Sequence, residues 1–209
     1  MITYEGIYQA RTILHNLILE KWMSEDVFSM RWWAMIALIT VSYLICFSLF
    51  DKRRLTELFL FGSLLTVGAV VYETVGVNFV LWVCWTPIFP IIPCLFVPYL
   101  TILPIYYMLI FQYTRTWQQF SLWNLVAVSV YALGLVPIFV HFNIVKLDNW
   151  KSIYHMPLLF AIASLARAVT LLLIHLERRE ETTARKFSSS GMLPDPVMKP
   201  TQSREDEGE

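Results

Sequence analysis

The chain has 209 residues, 57% of them hydrophobic and 15% charged, with a mean hydropathy of +0.56 and no net charge. A soluble domain carries charge on roughly a quarter of its residues, so this composition belongs to a protein solvated by lipid. Zero net charge gives no whole-molecule field for nucleic acid, which is excluded as a partner.

Residues 1–31 come first. Glu5, Arg11 and Glu20 occupy the place where a cleavable signal would have its apolar core, so no signal peptide is expected. Ile7, Leu14, Leu17, Ile18 and Trp22 share one helical face, opposite Gln9, His15, Asn16 and Glu20. That pattern predicts an amphipathic interfacial helix, lying flat on the membrane or packing on the protein's own outer loops.

Residues 32–176 predict a membrane helix bundle. Trp32 to Phe50 is the first crossing, opened by Trp32 and Trp33 and closed by Asp51, Lys52, Arg53 and Arg54, a cluster that favours the cytoplasmic side. Leu55 to Val75 returns as the second crossing. From Thr74 to Thr114 there is no Asp, Glu, Lys, Arg or His, yet Pro87, Pro90, Pro93, Pro98 and Pro104 forbid one continuous helix. The segment 78–96, with prolines at every third residue and Trp82 and Trp85 between the helices, predicts a re-entrant or interfacial loop at the outer headgroup level. A Pro-kinked third crossing follows from Val97 to Tyr113, a fourth from Phe120 to Phe142 and a fifth from Tyr154 to Leu176.

The fold class is therefore all-α: an integral, multi-pass cell-membrane protein of about five transmembrane helices, N-terminus outside and C-terminus cytoplasmic. A sixth crossing through 78–96 leaves the Lys and Arg bias unchanged; the compact Lys52–Arg54 cluster and the proline spacing favour five. Residues 177–209, rich in Ser, Pro and acidic residues, predict a disordered cytoplasmic tail.

Ionisable residues inside membrane spans are candidate site residues by default. Arg167 falls near the middle of the fifth crossing, too deep to snorkel, and must face the bundle interior. Glu73 is its most obvious counter-charge, though it sits toward the outer face, so pairing requires a tilted or offset helix. Backbone carbonyls freed by Pro104 or by the loop are the alternative partners. Trp82, Trp85, Tyr106 and Gln112 complete the candidate ligand-binding set, and a purely structural role for Glu73 and Arg167 stands beside it.

Cys46, Cys84 and Cys94 have no CxxC spacing and no histidines at ligand distance, so no zinc or redox site is expected. Cys84 and Cys94 read as buried thiols, with a disulfide as the alternative if their loop faces an oxidising side. His141 and His155 flank the last outer loop as single interfacial histidines, without the carboxylate a metal site needs. Gly62 with Thr66, and Ser164 with Ala168, offer small-residue spacing for helix contacts. No phosphate-cradling loop, GxSxG or HExxH is present; no cofactor, metal or catalytic residue is nominated.

Asp51 to Leu55, Glu73, Gly76, Leu81, Trp82, Pro87, the run Leu103 to Tyr113, and Asn149 to Lys151 with Ile153, Tyr154 and Pro157 resemble a family of small uncharacterised multi-spanning membrane proteins of spore-forming Gram-positive bacteria. The similarity covers about Trp32 to Leu176. Many members carry an acidic residue ahead of the Leu103–Pro104 element, where this chain has Leu100. The resemblance implies a bacterial plasma membrane and multi-span topology, and no chemistry. Beyond the bilayer itself, the sequence suggests a non-catalytic accessory, sensor or assembly component bound to another membrane protein. The alternative is a protein that binds, moves or modifies a small lipid-like or isoprenoid amphiphile.

Overall fold

The computed structural model describes residues 3–91 and 96–189, without the side chains of 96–98 and 181–189. Pro93, Cys94 and the segment 190–209 lie outside the described residues. Residues 1–170 form one compact unit, which contains every site discussed below; a second begins at Leu171.

Seven helices and two short strands follow in order: α1 (Tyr4–Lys21), α2 (Met30–Leu49), α3 (Leu55–Asn78), β1 (Trp82–Cys84), α4 (Leu103–Tyr113), α5 (Trp117–Ser129), α6 (Val136–His141), β2 (Val145–Leu147) and α7 (His155–Ser189). Among the described residues four helical spans are long and apolar enough to cross a membrane: Met30–Leu49, Lys52–Asn78, Trp117–His141 and Ser152–Glu180. The expected third crossing is not among these four spans. Its helical path runs from Phe96 through a π-helical turn to Tyr113, and residues 92–95 ahead of it lie outside the described residues. Helix α7 runs on to Ser189, past Leu176 where a disordered tail was expected.

Helix α3 is the hub. Leu58, Phe61, Gly62, Leu65, Ala69, Glu73 and Gly76 are buried along it, a stripe at helical spacing that turns one face to the interior. Gly62 is small because α4 passes over it: a Cβ there would come within 2.7 Å of Met108 Sδ. Phe61 stacks on Phe111 of α4 at 4.5 Å between centroids. At that end of the bundle Gln112 Nε2 donates to the Leu49 carbonyl, and Gln112 Oε1 accepts from the Asp51 N–H. Gln112, a candidate ligand-binding residue by sequence, instead ties the end of α4 to the α2–α3 turn.

At the opposite end α3 and α6 finish alike. Leu81 N–H reaches the Gly76 carbonyl and Val80 N–H the Val77 carbonyl; Ile144 and Asn143 make the same pair of bonds to Phe139 and Val140. Both are Schellman turns, which require a left-handed residue, here Val80 (φ 54°) and Asn143 (φ 53°). Each turn launches a strand, and the strands pair antiparallel with Trp82 opposite Leu147. The expected loop is thus non-helical over 79–91 but holds a strand that periodicity does not reveal. A β-branched residue is costly in the left-handed region. Val80→Gly is therefore expected to stabilise the protein by about 1 kcal/mol, read as a raised unfolding midpoint in detergent.

Three π-helical turns, Trp22–Asp26, Phe96–Ile102 and Val130–Leu135, interrupt the α-helical pattern. Two of them immediately precede a proline at the start of a helix, Pro104 in α4 and Pro137 in α6. The Val136 N–H bonds five residues back, to the Tyr131 carbonyl. A widened turn relieves the clash a proline ring makes with the preceding turn, so the chain passes both prolines without ending the helical path.

Helix α1 buries no residue, while the turn after it is fastened to the Pro-rich segment. Lys21 Nζ bonds the buried Asp26 carboxylate at 2.7 Å and the Trp85 carbonyl at 2.7 Å. Trp22 Nε1 donates to the Pro87 and Ile88 carbonyls. Cys46 is a free, buried thiol. Cys84 is disulfide-bonded, which replaces the buried-thiol reading at that position.

Candidate functional site

The Schellman turn at Val80 folds Trp82 back under its own helix. A Cβ on Gly76 would lie 2.0 Å from the Trp82 ring, so the indole rests directly on the α3 backbone. In that position Trp82 Nε1 donates to Glu73 Oε2 at 2.8 Å, with both residues 3% exposed. Tyr99 lies beside the Glu73 carboxylate on the same cavity wall. Tyr131 in turn donates to the Tyr99 hydroxyl at 2.8 Å. Tyr99 and Tyr131 sit on the two π-helical turns that precede Pro104 and Pro137, so the two widened turns face each other through a hydroxyl–hydroxyl bond beside Glu73. π-helical insertions often mark functional positions.

His155 starts α7 beneath this group, 2% exposed, with its ring 5.0 Å from that of Trp82. Its Nδ1 lies 2.7 Å from the Tyr72 hydroxyl, a hydrogen bond whose direction follows the imidazole tautomer. His155 Nε2 makes no hydrogen bond among the described residues. Glu73, Trp82, Tyr99, Tyr131 and His155 share the wall of a cavity of about 40 Å³, large enough for water.

Arg167 lies elsewhere. His155 and Arg167 are separated along α7 by roughly 18 Å at ~1.5 Å per residue, and Arg167 faces the α4–α5 turn. Its Nη1 donates to Thr114 Oγ1 at 2.8 Å. Its Nη2 lies 3.3 to 3.4 Å from the carbonyls of Thr114, Arg115 and Thr116. Rings close over the guanidinium, with Phe120 at 4.4 Å, Trp117 at 5.2 Å and Phe111 at 5.6 Å. The Glu73–Arg167 pair does not form. Arg167 uses backbone carbonyls, but those at the C-terminal end of α4, where the helix dipole favours a cation, rather than any freed by Pro104.

A second polar site fixes α4 to α5 and α7: Tyr107 donates to Asn124 Oδ1 at 2.7 Å, and Asn124 Nδ2 donates to Ser164 Oγ and the Phe160 carbonyl. Beside it a groove of about 430 Å³ runs between α2, α4 and α5. Its lining is apolar apart from Ser42, Tyr106, Tyr107, Trp123 and Tyr131. Tyr131 thus borders both the groove and the small cavity.

The six sequence candidates therefore divide. Glu73 and Trp82 meet in the polar cluster, and Tyr106 lines the groove. Trp85 is 44% exposed at the strand end beneath Lys146, Gln112 pins a turn, and Arg167 holds another. Tyr72, Tyr99, Tyr131, Asn124 and His155 join without sequence signatures of their own. The available signal for the two central tyrosines is a proline a turn or so downstream inside a helical pattern. His141 is exposed, and no group of three or more potential metal ligands forms among the described residues. No protein-family model, curated protein or solved structure matches the chain, so its function is read from this geometry alone.

Proposed function

We propose that the bundle binds one small amphiphile from the membrane, its chain lying in the groove between α2, α4 and α5. The observation that carries this reading is the groove itself. At about 430 Å³ it falls within the range of small-molecule sites, and its apolar wall with a few placed hydroxyls is what such sites share. Of the two functions the sequence suggests, the accessory-subunit reading has no comparable feature, whereas amphiphile binding explains why Tyr106, Tyr131 and Ser42 gather along an otherwise apolar wall.

The reading includes a plasma membrane location and five passes, the third of them ending at Tyr113. Two contacts support the alternation: β1 pairs with β2, and Gln112 joins the α2–α3 turn. The disulfide at Cys84 supports an outward, oxidising location for the strand end. It also supports an outside N-terminus, because Lys21 and Trp22 are bound to that same end.

The test is native mass spectrometry of the full chain extracted gently from its membrane. A retained mass of lipid size is expected, and Ala127→Trp, which fills the groove, should remove it while the protein stays folded. A retained second polypeptide, with no small molecule and no effect of Ala127→Trp, would sink the proposal in favour of an accessory subunit.

A further inference from the structure

Resting on the groove reading above, the geometry points to an uncharged, hydroxyl-bearing amphiphile, a long-chain alcohol in the simplest case, whose hydroxyl is received by Tyr106. The hydroxyl hydrogens of Ser42, Tyr107 and Tyr131 are committed inside the protein, and Tyr106 makes only a long contact to Ser42. Ser42 Oγ donates to the Leu38 carbonyl at 2.7 Å, so in the 3.4 Å contact between Ser42 and Tyr106 it is Tyr106 that donates. Tyr107 donates to Asn124 and Tyr131 donates to Tyr99. A hydroxyl has one hydrogen and two lone pairs, so Ser42, Tyr107 and Tyr131 retain acceptor capacity only, while Tyr106 both accepts and, by turning from its long Ser42 contact, donates. The remaining polar side chain in the wall is Trp123, 55% exposed at the rim, which has a single N–H donor and no acceptor.

Charge narrows the class further. Among the described residues no Lys, Arg or His lines the groove, so a carboxylate or phosphate would enter without a counter-charge. No Asp or Glu lines it either, which leaves an ammonium equally uncompensated. Burying an unpaired ion in an apolar site is strongly unfavourable. A hydroxyl carries no charge, donates one hydrogen bond and accepts another, matching a wall of hydroxyl lone pairs and one indole N–H. Among these oxygens Tyr106 is the accessible one: it is 40% exposed, while Ser42 and Tyr107 are buried.

The experiment measures saturation binding of radiolabelled 1-hexadecanol to the full chain in nanodiscs, with hexadecane and palmitate at alkaline pH as competitors. Saturable binding of about one hexadecanol per chain is expected, with hexadecane and palmitate at least tenfold weaker. Tyr106→Phe keeps the ring and removes the acceptor, and should weaken hexadecanol about tenfold, or about 1.4 kcal/mol, leaving hexadecane unchanged. Palmitate competing as well as hexadecanol, or hexadecane binding equally, would overturn the headgroup assignment while leaving the groove reading intact. So would an undiminished affinity in Tyr106→Phe. If none of the three probes binds, or Ala127→Trp binds hexadecanol as well as the parent does, the groove reading itself falls and takes this inference with it.

Discussion

Arg167→Gln is expected to destabilise the folded bundle by about 3 kcal/mol or more. Gln retains a donor for Thr114 at best. The carbonyls of Thr114, Arg115 and Thr116 lose their shared guanidinium, and Phe111, Trp117 and Phe120 lose the cation between them. Arg167→Lys should fare little better, because a single ammonium cannot span positions matched to a planar fork. Thermal unfolding in detergent, followed by tryptophan fluorescence, reads the effect. Amphiphile binding in the fraction that stays folded should equal that of the parent, because Arg167 does not line the groove. A variant with parental stability that no longer retains its amphiphile would contradict this assignment and place Arg167 in a ligand site.

Gly76→Ala should be comparably damaging. The added Cβ would sit 2.0 Å from the Trp82 ring, so the indole must leave the α3 backbone. Two costs then combine: overpacking at a buried contact, and the loss of the Trp82 N–H from the buried Glu73 carboxyl. Their sum is about 3 kcal/mol. The double variant G76A/W82F separates them, since phenylalanine lacks the outer ring atoms the Cβ would meet. It should be no less stable than Trp82→Phe alone, a coupling that distant sites would not show. If the two changes simply add, Trp82 does not rest on Gly76.

Hydropathy reveals where helices run here because a bilayer punishes exposed backbone and charge so heavily. It also singles out Glu73 and Arg167 as interior residues, since lipid contact is untenable for either. Their separate fates are harder to read. Spacing along each helix already puts Glu73 toward one end, but only tertiary contact decides that Arg167 meets the α4–α5 turn. Trp82 looks like an interfacial tryptophan because no glycine announces the left-handed turn at Val80 that folds it inward. The paired strands are three residues each, too short for alternation to register. His155 resembles a loop histidine until the start of α7 brings it under the Trp82 ring. Tyr99 and Tyr131 pass as ordinary aromatic residues of apolar helices, since hydropathy says nothing of where a hydroxyl points.

Placement of the two buried ionisable groups also bears on how the chain is made. A ribosome delivers these helices in order, and an ionisable group left in lipid without a partner is costly for as long as it waits. Glu73 finds its indole donor only nine residues downstream, so that bond can close before α4 has been synthesised. Arg167 arrives late, and its acceptors lie 51 to 53 residues upstream, already folded into the turn it will join. Neither group depends on a segment yet to come for its first bond, and biosynthesis from the N-terminus thereby shortens the time either one spends exposed.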